Sequence, residues 1–71
     1  MMHHKLQINK EYIYQPNRTY FRSYNIPKGS LVKTLAVEAI GTGEYYVVKT
    51  VEKPVKFGIV LGTQLKEDEK D

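Results

Sequence analysis

The sequence contains no cysteine and no tryptophan, and it has only three prolines. Without cysteine, neither a disulfide framework nor a thiolate metal site can stabilise the 71 residues. A hydrophobic core of this size supplies only about 3–5 kcal/mol unless a metal, a disulfide or a partner adds to it. The composition therefore favours a chain stabilised by tight β packing or by association.

Long apolar runs are also missing. No segment approaches the roughly 20 apolar residues that a membrane helix needs, and no apolar stretch follows Met1–Lys5 that would form a signal peptide. We therefore expect a cytoplasmic protein with no membrane contact.

The formal net charge of +3 is unevenly distributed. Residues 66–71 carry four acidic and two basic side chains, so the other 65 residues carry nine Lys and Arg against four Glu. The body of the chain therefore has a net charge of +5, which is compatible with a polyanionic partner without requiring one.

Apolar residues alternate with period two, and β-branched and tyrosine residues are abundant within the alternating runs. Gly, Pro and Asn fall between the runs, where they favour turns. The pattern predicts strands at residues 6–8, 12–14, 31–40, 44–51 and 56–61, an extended segment at 19–26, and turns at 15–18, 27–30, 41–43 and 62–64.

Five strands in so short a chain leave exposed sheet edges unless the sheet closes on itself. We therefore predict an all-β fold: a small five-stranded antiparallel barrel with an N-terminal extension packed on it. Residues 1–5 are predicted to be a flexible N-terminus, residues 6–65 a single barrel domain, and residues 66–71 a charged flexible tail.

Three segments resemble the bacterial Src-homology-3-like domains. Residues 27–35 (PKGSLVKTL) resemble the start of such a domain, and residues 44–49 (EYYVVK) resemble its aromatic-rich middle strand. Residues 57–65 (FGIVLGTQL) are similar to its ending, in which a short 3₁₀-like turn leads to a final leucine. The resemblance covers roughly residues 27–65 and implies the Src-homology-3-like barrel.

The same comparison shows departures that bear on the ligand. Peptide-binding members of the family carry a proline and a tyrosine in the last turn, where this chain has Leu61 and Gln64. A groove for proline-rich peptides needs stacked aromatic walls. The resemblance therefore implies a fold and no particular ligand.

Residue sets for metal binding or catalysis are not apparent. His3 and His4 are adjacent, so in an extended terminus they point in opposite directions, and no Asp, Glu or Cys near them completes a ligand set. Neither serine has a histidine in the body of the chain to activate it, and the carboxylates there are scattered rather than paired. We expect no enzyme activity, no metal site and no cofactor; the residues concerned are Ser23, Ser30, Glu11, Glu38, Glu44 and Glu52.

The segment from Tyr12 to Tyr24 interleaves aromatic and basic residues. Tyr and Arg are enriched at the energetic centres of protein interfaces, whereas small barrels use the same residue types to stack and neutralise single-stranded nucleic acid. A third interpretation places about half of these rings in the core. The predicted protein-binding residues are Tyr14, Arg18, Tyr20, Arg22 and Tyr24, and the alternative nucleic-acid-binding residues are Arg18, Arg22, Lys28 and Lys33.

Two predicted strands, at 31–40 and 44–51, have apolar residues on both alternating faces. A strand with one solvated side should alternate cleanly between apolar and polar residues. The outer face is therefore expected to be covered, either by residues 5–26 or by another chain, which includes a second copy.

From these patterns we predict a small, non-catalytic adaptor or regulatory module that binds a protein. Such a module would suit a bacterial or phage accessory protein. The alternatives are a small nucleic-acid-binding barrel and a structural subunit of a larger assembly.

Overall fold

A computed structural model of the chain describes residues 6–16, 25–41 and 43–67. Five strands and one 3₁₀ helix form the fold, so the all-β prediction is confirmed. The elements are β1 (Glu11–Tyr14), β2 (Leu31–Ile40), β3 (Gly43–Thr50), β4 (Phe57–Leu61), the 3₁₀ helix Gly62–Gln64 and β5 (Leu65–Glu67).

All strand pairings are antiparallel, and the strands lie in one sheet in the order β4-β3-β2-β1-β5. The predicted closure into a barrel is not observed, because the described residues pair β4 only with β3 and β5 only with β1. β5 has just three residues, and all three pair with β1. The result is an open five-stranded sheet with β4 and β5 at its edges.

A β-bulge interrupts β2 between Thr34 and Ala36, where the register with β3 shifts by one residue. Leu35 is the extra residue, so the faces of β2 exchange at that point. Val37, opposite the buried Tyr46, therefore lies on the inner face, and Ala36, opposite Val47, lies on the outer face. Strict period-two alternation would instead place Ala36 on the inner face and Val37 on the outer face.

The core is built from one face of every strand and from Ile26, which precedes β2. Because the chain has no tryptophan, three tyrosines are the largest residues that are fully buried. The buried apolar residues are Tyr12, Tyr14, Ile26, Val32, Tyr46, Val48, Val60 and Leu65.

Residues 6–10 run along the inner side of the sheet and do not form the strand predicted at 6–8. Their backbone bonds to side chains and to β2 instead: Leu6 N donates to the Tyr46 hydroxyl (3.2 Å) and Gln7 N to the Tyr12 hydroxyl (2.9 Å). Asn9, with φ at 66°, donates its backbone N–H to the Thr34 carbonyl at 2.7 Å. The positive φ of Asn9 breaks the extended backbone between residues 6–8 and β1, where the sequence predicts the two segments to be separate.

The predictions at the two ends of the sheet have different outcomes. The turn at 62–64 is confirmed as the 3₁₀ helix, and the strand prediction at 31–40 coincides with β2. Lys66 and Glu67, expected in the charged tail, belong to β5, where Lys66 pairs with Ile13 and Glu67 with Tyr12. In the hairpin between β2 and β3, Gly41 has φ at 60°, a conformation that glycine adopts without the steric cost of a side chain.

The Tyr46 hydroxyl gives a test of this core. Burial raises the pKa of Tyr46 above its usual value of 10.0, and its hydrogen bond to Glu44 adds to that rise. The hydroxyl donates to Glu44 Oε1 at 3.1 Å and accepts from Leu6 N, so Tyr46→Phe should cost about 1 kcal/mol of unfolding free energy at pH 8. Urea titration of both proteins would measure the difference.

The same pair of proteins should respond differently to alkaline pH. Above pH 10 an unfolded tyrosine loses its proton while folded Tyr46 keeps it, so stability is lost as pH rises towards the folded pKa. The phenylalanine variant lacks this loss, so its deficit should shrink above pH 10. A deficit that stays constant from pH 8 to pH 11 would contradict the raised pKa.

Candidate functional site

The sequence-predicted binding residues do not form one surface within the described part of the chain. Tyr14 is fully buried, so its ring is a core residue and not the predicted contact residue. Lys28 is exposed in the turn before β2, and Lys33 is half-buried within β2. Arg18, Tyr20, Arg22 and Tyr24 lie outside the described residues.

A different surface emerges from the strand register, namely the outer face of β2, β3 and β4. Residues that pair across antiparallel strands share a face. Three rows cross this face from β2 to β4, and we call their nine residues the outer face. The rows are Lys33–Lys49–Phe57, Ala36–Val47–Ile59 and Glu38–Tyr45–Leu61.

Apolar side chains of the outer face are accessible to solvent. The side of β4 that faces outward carries Phe57, which is 58% exposed, and Ile59, which is 49% exposed. Val47 beside them is half-buried, and Ala36 is exposed. Isolated exposed apolar residues are normal, but neighbouring ones in a small protein mark interaction surfaces.

The segment expected to cover the outer face lies elsewhere where it is described. Residues 6–10 contact Tyr12, Thr34 and Tyr46, whose side chains belong to the inner side of the sheet. The prediction that an N-terminal segment covers the outer strands is thus not met by these residues.

Charges are distributed asymmetrically over the outer face. Lys33 and Lys49 are directly opposite each other on β2 and β3, at the end of the face that carries Phe57. On its other side Lys33 pairs with Glu11 of β1. Glu38 lies in the row at the far end of the face. Like charges directly opposite each other destabilise a sheet. Glu11 offsets this repulsion at Lys33, whereas Lys49 has Phe57 as its other neighbour, so an acidic group of a bound partner would stabilise this end of the face.

A concavity lies at the start of β2, between the turn that precedes it and the loop after β3. It has a volume of about 200 Å³. The Thr50 hydroxyl at its wall is engaged internally, because it accepts from Lys56 N at 2.8 Å and lies 3.2 Å from the Pro54 carbonyl. The other lining residues include Pro27, Ser30, Leu31, Lys53 and Glu52. The Thr50 hydroxyl thus holds the loop in place and is not offered to a ligand.

Residues 6–16, 25–41 and 43–67 contain no cluster of three or more His, Cys, Asp or Glu side chains able to hold a metal ion. Within the same ranges, no helix has the length and apolar character needed to cross a membrane.

Comparison of the chain with protein-family models, with curated proteins and with solved structures gives no match. The outer face is therefore identified from strand register and side-chain exposure alone.

Sequence reasoning predicts β4 as a strand but does not identify Phe57 and Ile59 as a surface. The available signal is the alternation Phe57-x-Ile59-x-Leu61, together with Gly58 at an inner position that pairs with Val48. Period two separates the two faces of a strand but does not say which face is inside.

The Lys33–Lys49 pair leads to a prediction about the stability of the fold. Lys49→Glu replaces a like-charge pair with an attractive one opposite Lys33, so the unfolding free energy should rise by about 0.2–1 kcal/mol. Denaturant titration at low protein concentration would measure this rise, which should diminish with added salt. The matched control is Lys28→Glu, which makes the same charge change in an exposed turn. An equal gain in both variants would show that net charge, not the pair, is responsible.

Proposed function

We propose that this chain is a small, non-catalytic protein-binding module of the adaptor or regulatory type, and that the outer face makes the contact. The observation that carries the proposal is the exposure of Phe57 and Ile59 beside Val47 on one side of the sheet. A cytoplasmic location and a bacterial or phage accessory role remain predictions from the sequence.

Burial of the outer face would provide a driving force for association. Each Å² of apolar surface removed from water contributes about 25 cal/mol, and phenylalanine is enriched at the buried centres of protein interfaces. Phe57 projects from an edge strand, where a partner can surround it. The neighbouring lysines, Lys33 and Lys49, supply polar contacts at one margin.

The proposed class is the Src-homology-3-like domain, and the order of the elements supports it. A three-stranded meander, β2-β3-β4, is followed by the 3₁₀ helix Gly62–Gln64, which leads into β5 beside β1. The three segments that resemble the family, 27–35, 44–49 and 57–65, contribute to β2, β3 and β4–β5 in that order. The family's closed barrel is not included in this proposal, since the described strands form an open sheet.

The last turn supports a contact away from the usual peptide groove of that class. Gln64 is buried, and its side-chain oxygen accepts a hydrogen bond from Leu61 N at 3.0 Å. Gln15 N donates to the Gln64 carbonyl at 2.7 Å, which ties this turn to the end of β1. The position where peptide-binding members carry an aromatic groove residue is thus part of the interior here.

Phe57→Asp should abolish protein capture without unfolding the domain. The ring is more than half exposed, so its loss removes little core packing, whereas a carboxylate in its place would be desolvated wherever the partner covers the ring. Tagged wild-type and variant proteins would be used as bait in extracts of the source organism, and retained proteins compared by quantitative mass spectrometry.

The matched control for this experiment is Val55→Asp. Val55 is 46% exposed but lies in the loop between β3 and β4, outside the three rows of the outer face. A specific protein partner should be retained by wild type and by the Val55 variant and lost only with the Phe57 variant. Equal retention by all three baits would place the contact elsewhere.

Nucleic-acid binding is the second candidate, and the row Lys33–Lys49–Phe57 favours it. An exposed aromatic ring beside two lysines can stack on a base while the lysines neutralise phosphates. Among the described residues of the outer face, Phe57 is the one strongly exposed aromatic residue. Its exposed apolar neighbour, Ile59, is aliphatic and cannot stack on a base in the same way. We therefore rank this function below protein binding.

Binding of a fluorescent single-stranded oligonucleotide would test the second candidate. If the face binds phosphates, affinity should fall steeply with salt. Replacing both Lys33 and Lys49 with alanine should then flatten the slope of log affinity against log salt concentration by the amount expected for about two phosphate contacts. Lys66→Ala, on the exposed edge strand β5, is the control for loss of charge elsewhere. Absence of binding at low salt would rule out this function.

A further inference from the structure

The charge pattern of the outer face bears on which protein it binds. The three rows form a grid whose middle row, Ala36–Val47–Ile59, is apolar. The row at one end carries Lys33 and Lys49, and the row at the other end carries Glu38. Basic and acidic groups therefore lie on opposite sides of an apolar centre, each one row away from it.

A surface with this pattern is complementary to itself under a two-fold rotation. A homodimer interface of this kind brings the same patch together from both subunits. If the two-fold axis lies between two stacked sheets and runs across the strands through the middle row, each middle row packs on its own copy. The end row with Lys33 and Lys49 then faces Glu38 of the partner subunit, and Phe57 faces Leu61 of the partner subunit.

The other face-to-face arrangement is unfavourable. With the axis parallel to the strands, the row that carries Lys33 and Lys49 would face the same row of the second copy. Four lysines would then meet at one end of the interface, and like-charge contacts of this kind cost several kcal/mol. The charges thus select one of the two arrangements.

Resting on the proposed protein-binding function, we propose that the occupant of the outer face is a second copy of this chain, in a two-fold dimer with antiparallel strands. A purely acidic partner would satisfy the two lysines but would be repelled by Glu38. A second copy satisfies both signs of charge with the residues already on the face. Stacked sheets lie about 10 Å apart, which a lysine and a glutamate can bridge.

The size of the outer face determines how strong this dimer can be. Three strands about 4.8 Å apart, each contributing about five residues at about 3.4 Å per residue, give a footprint of roughly 14 by 17 Å. Stable interfaces bury about 800 Å² on each partner, so this contact is several times smaller than a standard interface. We therefore expect weak, reversible association, with a dissociation constant between about 100 μM and the millimolar range.

Charge exchange between copies provides the test. Sedimentation equilibrium of the full chain at low salt, from micromolar to millimolar concentration, should show a monomer–dimer equilibrium for the wild type. Lys33→Glu sets a new carboxylate against the partner subunit's Glu38, and Glu38→Lys sets a new ammonium group against the partner subunit's lysines. Each single variant should therefore dimerise at least about tenfold more weakly, which corresponds to ~1.4 kcal/mol.

Mixing the two single variants gives the decisive observation. In an equimolar mixture, the carboxylate introduced by Lys33→Glu faces the ammonium group that Glu38→Lys introduces in the other subunit, and the native Glu38 and Lys33 face each other as in the wild type. The mixture should associate more tightly than either variant alone, and the double variant should recover dimerisation. Because Lys33 and Glu38 lie in different rows of one copy, a repair within a single chain does not explain this result. Circular dichroism would verify that each variant is folded.

Three outcomes separate this inference from the function on which it rests. A wild type that stays monomeric throughout, or a mixture that associates no better than the single variants, overturns the dimer. If Phe57→Asp nevertheless loses a captured protein that Val55→Asp retains, the protein-binding function stands with a different partner. A monomer whose captured proteins are insensitive to Phe57→Asp overturns both.

Discussion

The fold depends on burying tyrosines whose hydroxyl groups must be hydrogen-bonded inside the molecule. Tyr12 and Tyr46 are fully buried, and a buried hydroxyl without a partner costs about 1–3 kcal/mol. The backbone N–H groups of Gln7 and Leu6 supply those partners. Residues 6–10 are thereby made part of the core, since their backbone is also bonded to Thr34. In a chain without tryptophan or disulfides, tyrosines can fill the interior because residues 6–10 supply hydrogen-bond partners for their hydroxyl groups.

How far the sequence predicts this fold differs from element to element. The sequence predicts β2 with its observed bounds because alternation, β-branched residues and the flanking turns all agree there. The bulge at Leu35 is not predictable, because period two does not reveal which residue of a strand lacks a cross-strand partner. Its effect is large, since it exchanges the faces of every β2 residue that follows. Closure is over-predicted because edge avoidance is a tendency that short strands such as β5 need not satisfy.

The candidate site is harder to predict than the fold, and the reason lies in the aromatic residues. Composition indicates that tyrosines near Arg18 and Arg22 could form a surface, but burial of Tyr14 assigns that ring to the core. Phe57, which carries no polar group, is instead more than half exposed. From residue type alone, the phenylalanine would be expected in the core and the tyrosine at the surface, which is the reverse of what the structure shows. The register of β3 with β4, which places Phe57 opposite Lys49, is what reveals the outer face.

The outer face combines two features that each reduce the stability or solubility of an isolated small domain. The Lys33–Lys49 pair sets like charges opposite each other, and Phe57 and Ile59 leave apolar surface in water. A domain of this size has only a few kcal/mol of stability to lose. Neither feature is needed by the core, because both lie on the side of the sheet away from Tyr46 and Val48. Under the proposed function, association would relieve both at once, since it would bury the apolar row and bring an opposite charge to the lysines.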